Sequence, residues 1–591
     1  MSSSPNSARP TRRYLRRILI GLLVVVIVYV AWLAVTGVLA ANKLSAAQSQ
    51  IVQARSAMSA GNTAQTRQVI AQITKNTSSA NDLVNSLPWK LTQHLPFVGP
   101  TATAVGRTTE SVDIAASGAI SPLADVVGKL SMGTLRDEQG RVDLKAVSEI
   151  EKPAVQAQAL LQKSLAVADS APTSGVFGPI ETRVTQARNS LQEMLRTVSA
   201  SATAAQVMPI LLGGDGTQRF FVGFTSPAEA RGTGGFLGTY GILKAKDGAV
   251  SLEKVGANSE LKDFTKPVVE LGPDYNAIYG LSSGLWSGMN ISPHFPFAAK
   301  QWIEGWRRQT GEQLQGAISV DPAALSYIIS QQGPVTLPNG AVLQENEVVP
   351  YLTNGIYFQF ERDNNARKAF QVAIAKSATS SLTQTGTSPT KLIAALAKGA
   401  SERRILVYSV DKEVEKALAP WPISGTIDNR AGPYAMLVVN NAAGNKADAY
   451  LDRSLTYQSV GCSKTQQKSR VDATLTNQIP ATGSLPSVID VRNDTFGRLN
   501  GHPRATRVTA EVLLPMNSVV TSVTVNGVAQ EYPTVIEAGR SGVFLTIELP
   551  RGQAQTMSVE FLEPISTLHP RVIEQPLARP QTTIINWKPC T

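Results

Sequence analysis

Hydrophobic residues are most concentrated near the N-terminus, where residues 18–41 carry no charge. A helix needs about 20 apolar residues to cross roughly 30 Å of hydrocarbon, so this stretch predicts a transmembrane helix over 18–41. Five arginines precede it and Lys43 follows it, which places residues 1–17 in the cytoplasm as a basic tail and the bulk outside. The alternative is a cleavable signal peptide, but its apolar core is usually only about 7–15 residues.

Between residues 42 and 205, apolar residues recur every three or four positions, which is the period of an amphipathic helix. Prolines at 88, 96 and 100 interrupt the pattern and predict a connector. Further helices are predicted over 112–130, 144–168 and 180–198. We therefore expect an extracytoplasmic, antiparallel helical stalk over 42–205, serving as a spacer or as a docking surface for envelope proteins.

From residue 206, short apolar runs bounded by glycine alternate with helical periods, which predicts an α/β layered domain over 206–422. The strands are predicted at 209–213, 219–224, 236–244, 249–255 and 316–320, with a hairpin turn at Lys246-Asp247-Gly248. The helices are predicted at 298–310, 322–331, 345–357, 364–382 and 389–398.

From residue 423, alternation with a period of two runs through seven segments, which predicts a β-sandwich over 423–591. Asn526-Gly527 predicts a tight hairpin turn. The strands are predicted at 434–440, 449–457, 468–477, 506–514, 519–525, 542–549 and 556–562. The predicted fold class is therefore α+β and multidomain: a transmembrane helix, a helical stalk, an α/β layered central domain and a C-terminal β-sandwich.

The composition is that of a globular protein, with 43% hydrophobic and 17% charged residues in 591. The tail arginines supply nearly half of the net charge of +11, and no other block is dense enough to predict a nucleic-acid partner. The remaining excess fits attraction to an anionic envelope or to lipid phosphate.

The chain has two cysteines, Cys462 and Cys590, both in its last third. Outside the cytoplasm, two thiols are best explained as one disulfide. Such a bond stabilises by about 4–5 kcal/mol in the chain-entropy model for a loop of this length. The four histidines show no ligand spacing, so the sequence predicts no metal site.

Candidate chemistry is densest in residues 227–241, where five glycines accompany Arg231. Backbone N–H groups at Gly234 and Gly235, beside Arg231, would suit an anion cradle. A glycine-rich strand packed tightly against a neighbour explains the same residues. The P-loop and dinucleotide fingerprints are absent, and no serine lies in a nucleophile elbow.

A second candidate group lies at the start of the helix predicted over 364–382. Arg362 and Arg367 could join Arg231 around a phosphate. Asp363 would cap the N-terminus of the same helix, and capping alone explains its presence.

Several motifs resemble the bacterial family known as domain of unknown function 4012. They lie at 88–99, 229–240, 290–296, 318–322, 332–335 and 439–448. The resemblance runs from the anchor to the C-terminus and implies a membrane-anchored protein of actinobacteria or other Gram-positive organisms. The family has an aspartate before Phe295, where this chain has His294, which argues against catalysis at that position.

The chain is also distantly similar to the LytR-CpsA-Psr phosphotransferases, which transfer polyprenyl-pyrophosphate-linked glycopolymers to peptidoglycan. The similarity implies an acidic partner for the arginines, either Asp215 or Asp363. The Arg-Ser-Asp-Thr string of those enzymes is replaced here by Arg231-Gly-Thr-Gly, so their metal-binding carboxylate has no clear counterpart. No cofactor is expected unless the chain is a phosphotransferase, which would require Mg²⁺.

Three functions therefore stay open. The chain could be a glycopolymer phosphotransferase in which Arg231, Arg362 and Arg367 clamp a pyrophosphate. It could bind polyprenyl-phosphate lipid or cell-wall glycan in the same pocket without turnover, which the missing carboxylate favours. It could also be an envelope scaffold that contacts other proteins. All three place it in the cell membrane as a single-pass protein, and the first two have it act in cell-wall or capsule assembly.

Overall fold

The computed structural model describes residues 11–59, 62–120, 136–137, 139–280, 282–332, 334–337, 340–381, 389–494 and 504–590. The chain forms two compact units, residues 1–137 with 143–209 and residues 138–142 with 210–591. Predictions that fall on 1–10, 121–130, 333 and 382 lie outside the described residues. The architecture is mixed α and β, with an apolar N-terminal helix and several sheets, as the sequence predicts.

The first unit is helical. Its helices are α1 Thr11–Ser59, α2 Thr63–Val84, α3 Leu87–Thr92, α4 Gly99–Ile114, α5 Leu144–Asp169 and α6 Gly178–Leu211. A π-helical stretch, Ala115–Ile120, continues α4. The α1 and α2 helices are antiparallel, because Ala40 clusters with Ala80 and Val84, whereas Ala47 and Ala54 further along α1 cluster with Val69 and Ile73 near the start of α2.

Helix α1 carries the predicted membrane segment. The stretch Arg16–Ala54 has a window with a mean hydropathy of 3.0 and is long and apolar enough to cross a membrane. The apolar side chains of its first half, such as Leu22 and Val30, are exposed.

At the C-terminal end of this unit, one predicted strand is wrong. Residues 209–213 do not form a strand, because Pro209 lies inside α6, which ends at Leu211. An apolar run this short has no period that separates a strand from a helix end. The predicted boundary at 205–206 also falls within α6.

The second unit begins with a five-stranded sheet in the order β3-β2-β1-β4-β7, in which β1 and β4 are parallel and the other neighbours are antiparallel. The strands of this region are β1 Gln218–Arg231, β2 Gly234–Lys246, β3 Ala249–Ala257, β4 Gly316–Val320, β5 Val335–Thr336, β6 Val342–Leu343 and β7 Ile405–Ser409. Asp247 and Gly248 have φ of 49° and 78°, so the predicted β2–β3 turn is confirmed. Strand β7 was not predicted.

Helices cover both faces of this sheet. They are α7 Pro273–Tyr279, α8 Phe295–Thr310, α9 Pro322–Ile329, α10 Glu345–Pro350, α11 Ile356–Gln359, α12 Asn364–Ser381, α13 Pro389–Ser401 and α14 Lys412–Leu418. On one face, Trp302 of α8 packs with Phe221 of β1. On the other, Leu325 of α9 and Phe370 of α12 pack with Phe224 of β1.

The rest of the chain forms two further sheets, in the orders β13-β12-β16-β10-β9-β18 and β14-β15-β11-β8-β17. The elements are β8 Tyr434–Asn441, β9 Leu451–Cys462, β10 Gln466–Asn477, α15 Ser487–Asp490, β11 Thr506–Leu513, β12 Val519–Val525, β13 Val528–Ala529, β14 Thr534–Glu537, β15 Arg540–Leu549, β16 Ala554–Pro564, β17 Arg571–Glu574 and β18 Gln581–Asn586. Their inward residues share one core, in which Leu455 and Phe561 of one sheet pack with Val512 of the other.

The C-terminus is attached to this sandwich in two ways. Strands β17 and β18 pair in parallel with β8 and β9. The disulfide predicted between Cys462 and Cys590 is confirmed and joins residues 128 positions apart. The Asn526-Gly527 turn is confirmed as well, with φ of 50° and 79°.

A buried carboxyl pair lies where the α/β layers meet the sandwich. Glu511 of β11 and Glu537 of β14 are each 1% exposed. Tyr279 Oη donates to Glu511 Oε2 at 3.0 Å, and Ser292 Oγ donates to Glu537 Oε1 at 2.7 Å. Burial raises the pKa of Glu537 to about 7, and burial with the nearby Glu537 raises the pKa of Glu511 well above its usual value.

This pair predicts a pH-dependent stability. A carboxyl whose pKa is raised from 4.5 to about 7 on folding stabilises the fold fully below pH 4.5, and this contribution is lost as the pH rises through about 7. As the pH rises from about 5 to about 8.5, we expect the free energy of unfolding of Glu537→Gln to increase relative to the wild type by on the order of 2–3 kcal/mol. Urea unfolding of the detergent-solubilised chain across that range measures it. The exposed Glu531→Gln is the control, and its free energy of unfolding should follow that of the wild type at each pH. If the free energies of Glu537→Gln and the wild type change in parallel with pH, the assignment is refuted.

Candidate functional site

The glycine-rich stretch forms the tight β1–β2 hairpin, and protein rather than ligand fills the space beside it. A Cβ on Gly232 would lie 2.2 Å from the carbonyl oxygen of Ile291, and one on Gly235 would lie 2.3 Å from the backbone of Ser226. Asn290 Nδ2 donates to the Gly235 carbonyl at 2.8 Å. Gly234 has φ of 128°, a conformation that favours glycine. Close backbone packing therefore accounts for Gly232, Gly234 and Gly235.

Arg231 is buried, and its guanidinium is occupied by neighbours. Nη2 pairs with Glu229 Oε1 at 2.6 Å, Nε donates to the Ser287 carbonyl at 2.9 Å, and Nη1 donates to the Ala230 carbonyl at 2.8 Å. Glu229 also pairs with Lys446. Burial alone would raise the pKa of Glu229, but Lys446 and Arg231 hold it below its usual value. The result is a buried charge cluster in which one carboxylate lies between two cations.

The region around this charge cluster joins the five-stranded sheet to the sandwich in the second unit. Asp448 Oδ2 accepts hydrogen bonds from the Ala230 N–H at 2.7 Å and from Asn441 Nδ2 at 2.9 Å. Burial raises the pKa of Asp448 to about 6. Gln575 Nε2 donates to the Arg231 carbonyl at 2.7 Å and to the Val439 carbonyl at 2.8 Å. The motifs at 229–240 and 439–448 thus form one polar junction between the sheet and the sandwich.

The other predicted phosphate ligands lie on separate elements. Asp215 is exposed before β1, and Arg231 is buried at the opposite end of that strand. Asp363 Oδ1 accepts from the Ala366 N–H at 2.8 Å, so it caps α12. Arg367 stacks over Tyr357 at 4.9 Å, and Arg362 is exposed.

These positions do not form one clamp. Arg231 is buried and its guanidinium bonds protein neighbours, whereas Arg362 is exposed and Arg367 donates to Asn364. No group of three His, Cys, Asp or Glu side chains that could hold a metal ion occurs in the described part of the chain. Asp215 and Asp363 are exposed on different elements and do not fit a shared Mg²⁺ site.

His294 is a structural residue rather than a catalytic one. Its Nδ1 accepts a hydrogen bond from the Ile427 N–H at 3.2 Å. Burial, with Lys300 and Arg403 nearby, lowers the pKa of His294 to about 3, so the ring is neutral.

A second candidate site, whose lining includes buried side-chain atoms without a partner, is a cleft of about 1020 Å³ elsewhere in the second unit. Its walls come from residues 401–404, from the loop over 419–430, from β9 and from the C-terminal segment 572–581. Proline and tryptophan side chains supply apolar wall: Pro420, Trp421, Pro422, Pro576 and Pro580. Five arginines also line it: Arg403, Arg404, Arg430, Arg453 and Arg579.

Arg453 is the least satisfied of these arginines. It is 4% exposed, and its Nη2 donates to the carbonyls of Gln575 and Arg579, each at 3.1 Å. Its Nε and Nη1 are buried and have no hydrogen-bond partner among the described residues. Burial lowers the pKa of Arg453 to about 10, which leaves it charged at neutral pH.

The other arginines divide into neutralised and unneutralised side chains. Arg404 pairs with Asp321 at 2.6 Å, Arg430 with Asp428 at 2.7 Å, and Arg579 with Asp452 at 2.7 Å. Arg403 instead donates to backbone carbonyls, the shorter bond reaching Gly425 at 3.0 Å. Arg403 and Arg453 therefore give the cleft positive charge without an ion pair among the described residues, although Glu574, which also lines the cleft, acts to raise the pKa of Arg453.

One lining residue also offers an acceptor. Gln581 is 7% exposed, and its Oε1 is buried with no hydrogen-bond partner among the described residues. Its Nε2 donates to Thr583 Oγ1 at 3.1 Å. The lining of the cleft thus contains cations and one buried acceptor oxygen without a partner.

Sequence reasoning missed this cleft, although one signal was present. In β9, Leu451, Arg453, Leu455 and Tyr457 occupy successive inward positions. An arginine in the apolar phase of a strand must be paired inside the fold or serve a ligand. Arg403 carried no such signal, because it follows a helix in a polar stretch.

Residues 215–357 match a family described as protein of unknown function (DUF4012), so the resemblance seen in the motifs is confirmed over that range. The match includes β1 to β4 and, from the cleft lining, Tyr327. No curated protein and no solved structure matches the chain.

The charge cluster predicts a large effect from one substitution. Glu229→Gln leaves Arg231 and Lys446 buried without a counter-charge, so we expect a loss of about 3 kcal/mol or more in the free energy of unfolding. Urea unfolding of the full chain in detergent measures it. Glu253→Gln is the matched control, because Glu253 also lies between an arginine and a lysine, at 2.9 Å and 3.1 Å, but all three are partly exposed. It should cost less than about 1 kcal/mol; equal losses would contradict the buried-pair account.

Proposed function

We propose that this chain, whose residues 215–357 match the DUF4012 family, is a membrane-anchored, extracytoplasmic protein of the cell envelope that binds a phosphate-bearing glycan without converting it. The ligand class is the glycosyl phosphate of a polyprenyl-linked glycopolymer, such as those used in cell-wall or capsule assembly. The observation that carries this proposal is the buried, partly unpartnered Arg453 in the arginine-lined cleft.

The anchor supports the location. Helix α1 contains a segment long and apolar enough to span a membrane. The arginines that precede residue 18 favour a cytoplasmic N-terminus, because positively charged flanks remain on that side. The second unit, and the first unit beyond residue 41, then lie outside the cytoplasm, where the Cys462–Cys590 disulfide is stable.

The chemistry of the cleft supports the ligand class. Arginine binds phosphate through charged hydrogen bonds, and a buried cation acts strongly because little water screens it. Arg403 and Arg453 supply this charge, and Gln581 Oε1 would accept from a sugar hydroxyl. Trp421 and the prolines provide an apolar wall of the kind found in ligand sites, and the volume suits a small saccharide.

Binding is favoured over transfer because of where the predicted catalytic groups lie. Arg231 and Glu229 hold each other and Lys446 in the junction, and Asp363 caps a helix. A phosphotransferase needs charges that converge on one pyrophosphate. The second candidate function is a non-catalytic scaffold, which would need no ligand in the cleft.

The experiment is calorimetric titration of the full chain in detergent with glucose 1-phosphate, and with glucose as the neutral control. We expect the phosphate ester to bind and glucose to bind far more weakly. Arg453→Gln and Arg403→Gln should each weaken binding about tenfold or more, since each removes a charged hydrogen-bond donor. Arg470→Gln is the matched control, because Arg470 pairs with Asp472 at 3.1 Å outside the cleft.

The outcomes separate the three functions. Equal binding by all four proteins would place the ligand elsewhere. If the folded wild type does not bind glucose 1-phosphate, the non-catalytic scaffold is the function that remains. Transfer of the phosphate-linked saccharide from a polyprenyl-pyrophosphate substrate to an acceptor hydroxyl, with release of polyprenyl phosphate and dependence on Mg²⁺, would favour the transferase instead.

A further inference from the structure

Residues 87–98, called here the 87–98 segment, fold back along the apolar part of α1. Tyr29 Oη donates to the Pro88 carbonyl at 2.7 Å and lies 2.9 Å from Thr92 Oγ1. Trp89 Nε1 donates to Thr36 Oγ1 at 2.8 Å. These contacts attach the segment to α1 at two levels, seven residues apart in the sequence.

Both levels lie inside the uncharged stretch over 18–41. At a rise of 1.5 Å per residue, Thr36 lies about 8 Å and Tyr29 about 18 Å from Ala41 toward the N-terminus. The hydrocarbon core of a bilayer is about 30 Å thick. If α1 spans the membrane, the 87–98 segment therefore lies beside the half of the span that is farther from the basic tail. The Trp89 ring lies over Gly37, where a Cβ would be 3.4 Å from the ring.

The outer surface of the segment is apolar. The exposed side chains are Leu87, Leu91, Leu95, Phe97 and Val98, with Phe97 93% exposed. Phe177, 66% exposed, lies at the same end of the helical unit, since its N–H donates to Thr101 Oγ1 near the start of α4. An apolar surface that continues the surface of a membrane helix fits lipid chains.

Backbone N–H groups in the second half of the segment are satisfied internally, as a lipid environment requires. The N–H groups of Gln93, His94, Leu95 and Val98 bond carbonyls within the segment, at 2.8–3.2 Å. Positions 88 and 96 are prolines, which have no N–H. The hydroxyls of Tyr29, Thr36 and Thr92 bond within the unit.

Two titratable side chains lie on the segment, Lys90 and His94, and both are exposed. A lysine can bury its carbon chain and keep its ammonium at the headgroups. Trp89 suits the same depth, because tryptophan is enriched at membrane interfaces.

We propose that the 87–98 segment inserts into the bilayer leaflet on the side away from the basic tail, with lipid acyl chains as its partner. The ectodomain is then attached to the membrane at two places, the spanning helix and the 87–98 segment. A single helix leaves an ectodomain free to tilt, whereas a second contact fixes the height and direction at which the helical unit leaves the membrane. This inference rests on the proposed function in one respect, that α1 spans the bilayer.

The test is spin-label accessibility in the full chain, reconstituted into vesicles of phosphatidylethanolamine and phosphatidylglycerol with its disulfide intact. The label is attached through Phe97→Cys, with Leu91→Cys as a second site should the first variant not fold. Val30→Cys on the exposed apolar part of α1 is the lipid control. Val52→Cys, 66% exposed and about 22 Å further along α1 than Gly37, is the matched apolar control outside the membrane.

We expect the label at 97 to behave like the label at 30, colliding several times more often with oxygen, which dissolves in lipid, than with a water-soluble nickel chelate. The label at 52 should show the reverse. A label at 97 that behaves like the one at 52 would contradict the insertion of the 87–98 segment, while the proposal that α1 spans the membrane would stand. A label at 97 shielded from both reagents would also contradict the insertion, because a second copy or another protein would then cover the surface. If the label at 30 itself contacts water, the anchor in the proposed function fails instead.

Discussion

The ion cluster of Glu229 with Arg231 and Lys446 is the interaction on which the second unit depends. Charges this deep are tolerated only when they are paired and hydrogen-bonded, so each partner fixes the position of the others. Arg231 ends β1, and Lys446 precedes β9, so pairing them through Glu229 sets the sheet against the sandwich.

The cluster also reaches the cleft through one residue. Gln575 donates from its side chain to the Arg231 carbonyl, and its own carbonyl accepts from Arg453. The segment that walls the cleft is therefore positioned by the junction. A fixed wall reduces the ordering cost of binding, which is how a rigid scaffold favours a ligand. Arg231, which the sequence suggested as a phosphate ligand, thus helps to position Arg453, which has hydrogen-bond donors without partners.

Local pattern predicted much of the fold and little of the site. The alternation in β9 and β10 and the Asn526-Gly527 turn depend on neighbouring residues, so one sequence suffices to find them. Strands β17 and β18 are short edge strands, held by distant parallel partners and by the disulfide, and no local period shows them. Arg231 was recognised as an important charge, but Lys446, which shares its partner Glu229, and Gln575, which bonds its carbonyl, lie more than 200 residues away. Whether an arginine faces ligand or protein depends on such distant partners.

The measurement that most directly tests the central claim is anomalous diffraction from crystals of the chain soaked in tungstate, an electron-dense analogue of phosphate. The account predicts a tungsten peak in the cleft, within hydrogen-bond distance of Arg403 or Arg453, and no peak at the buried Arg231. A peak beside Arg362 and Arg367 with an empty cleft would contradict it, as would a cleft that stays empty at saturating tungstate.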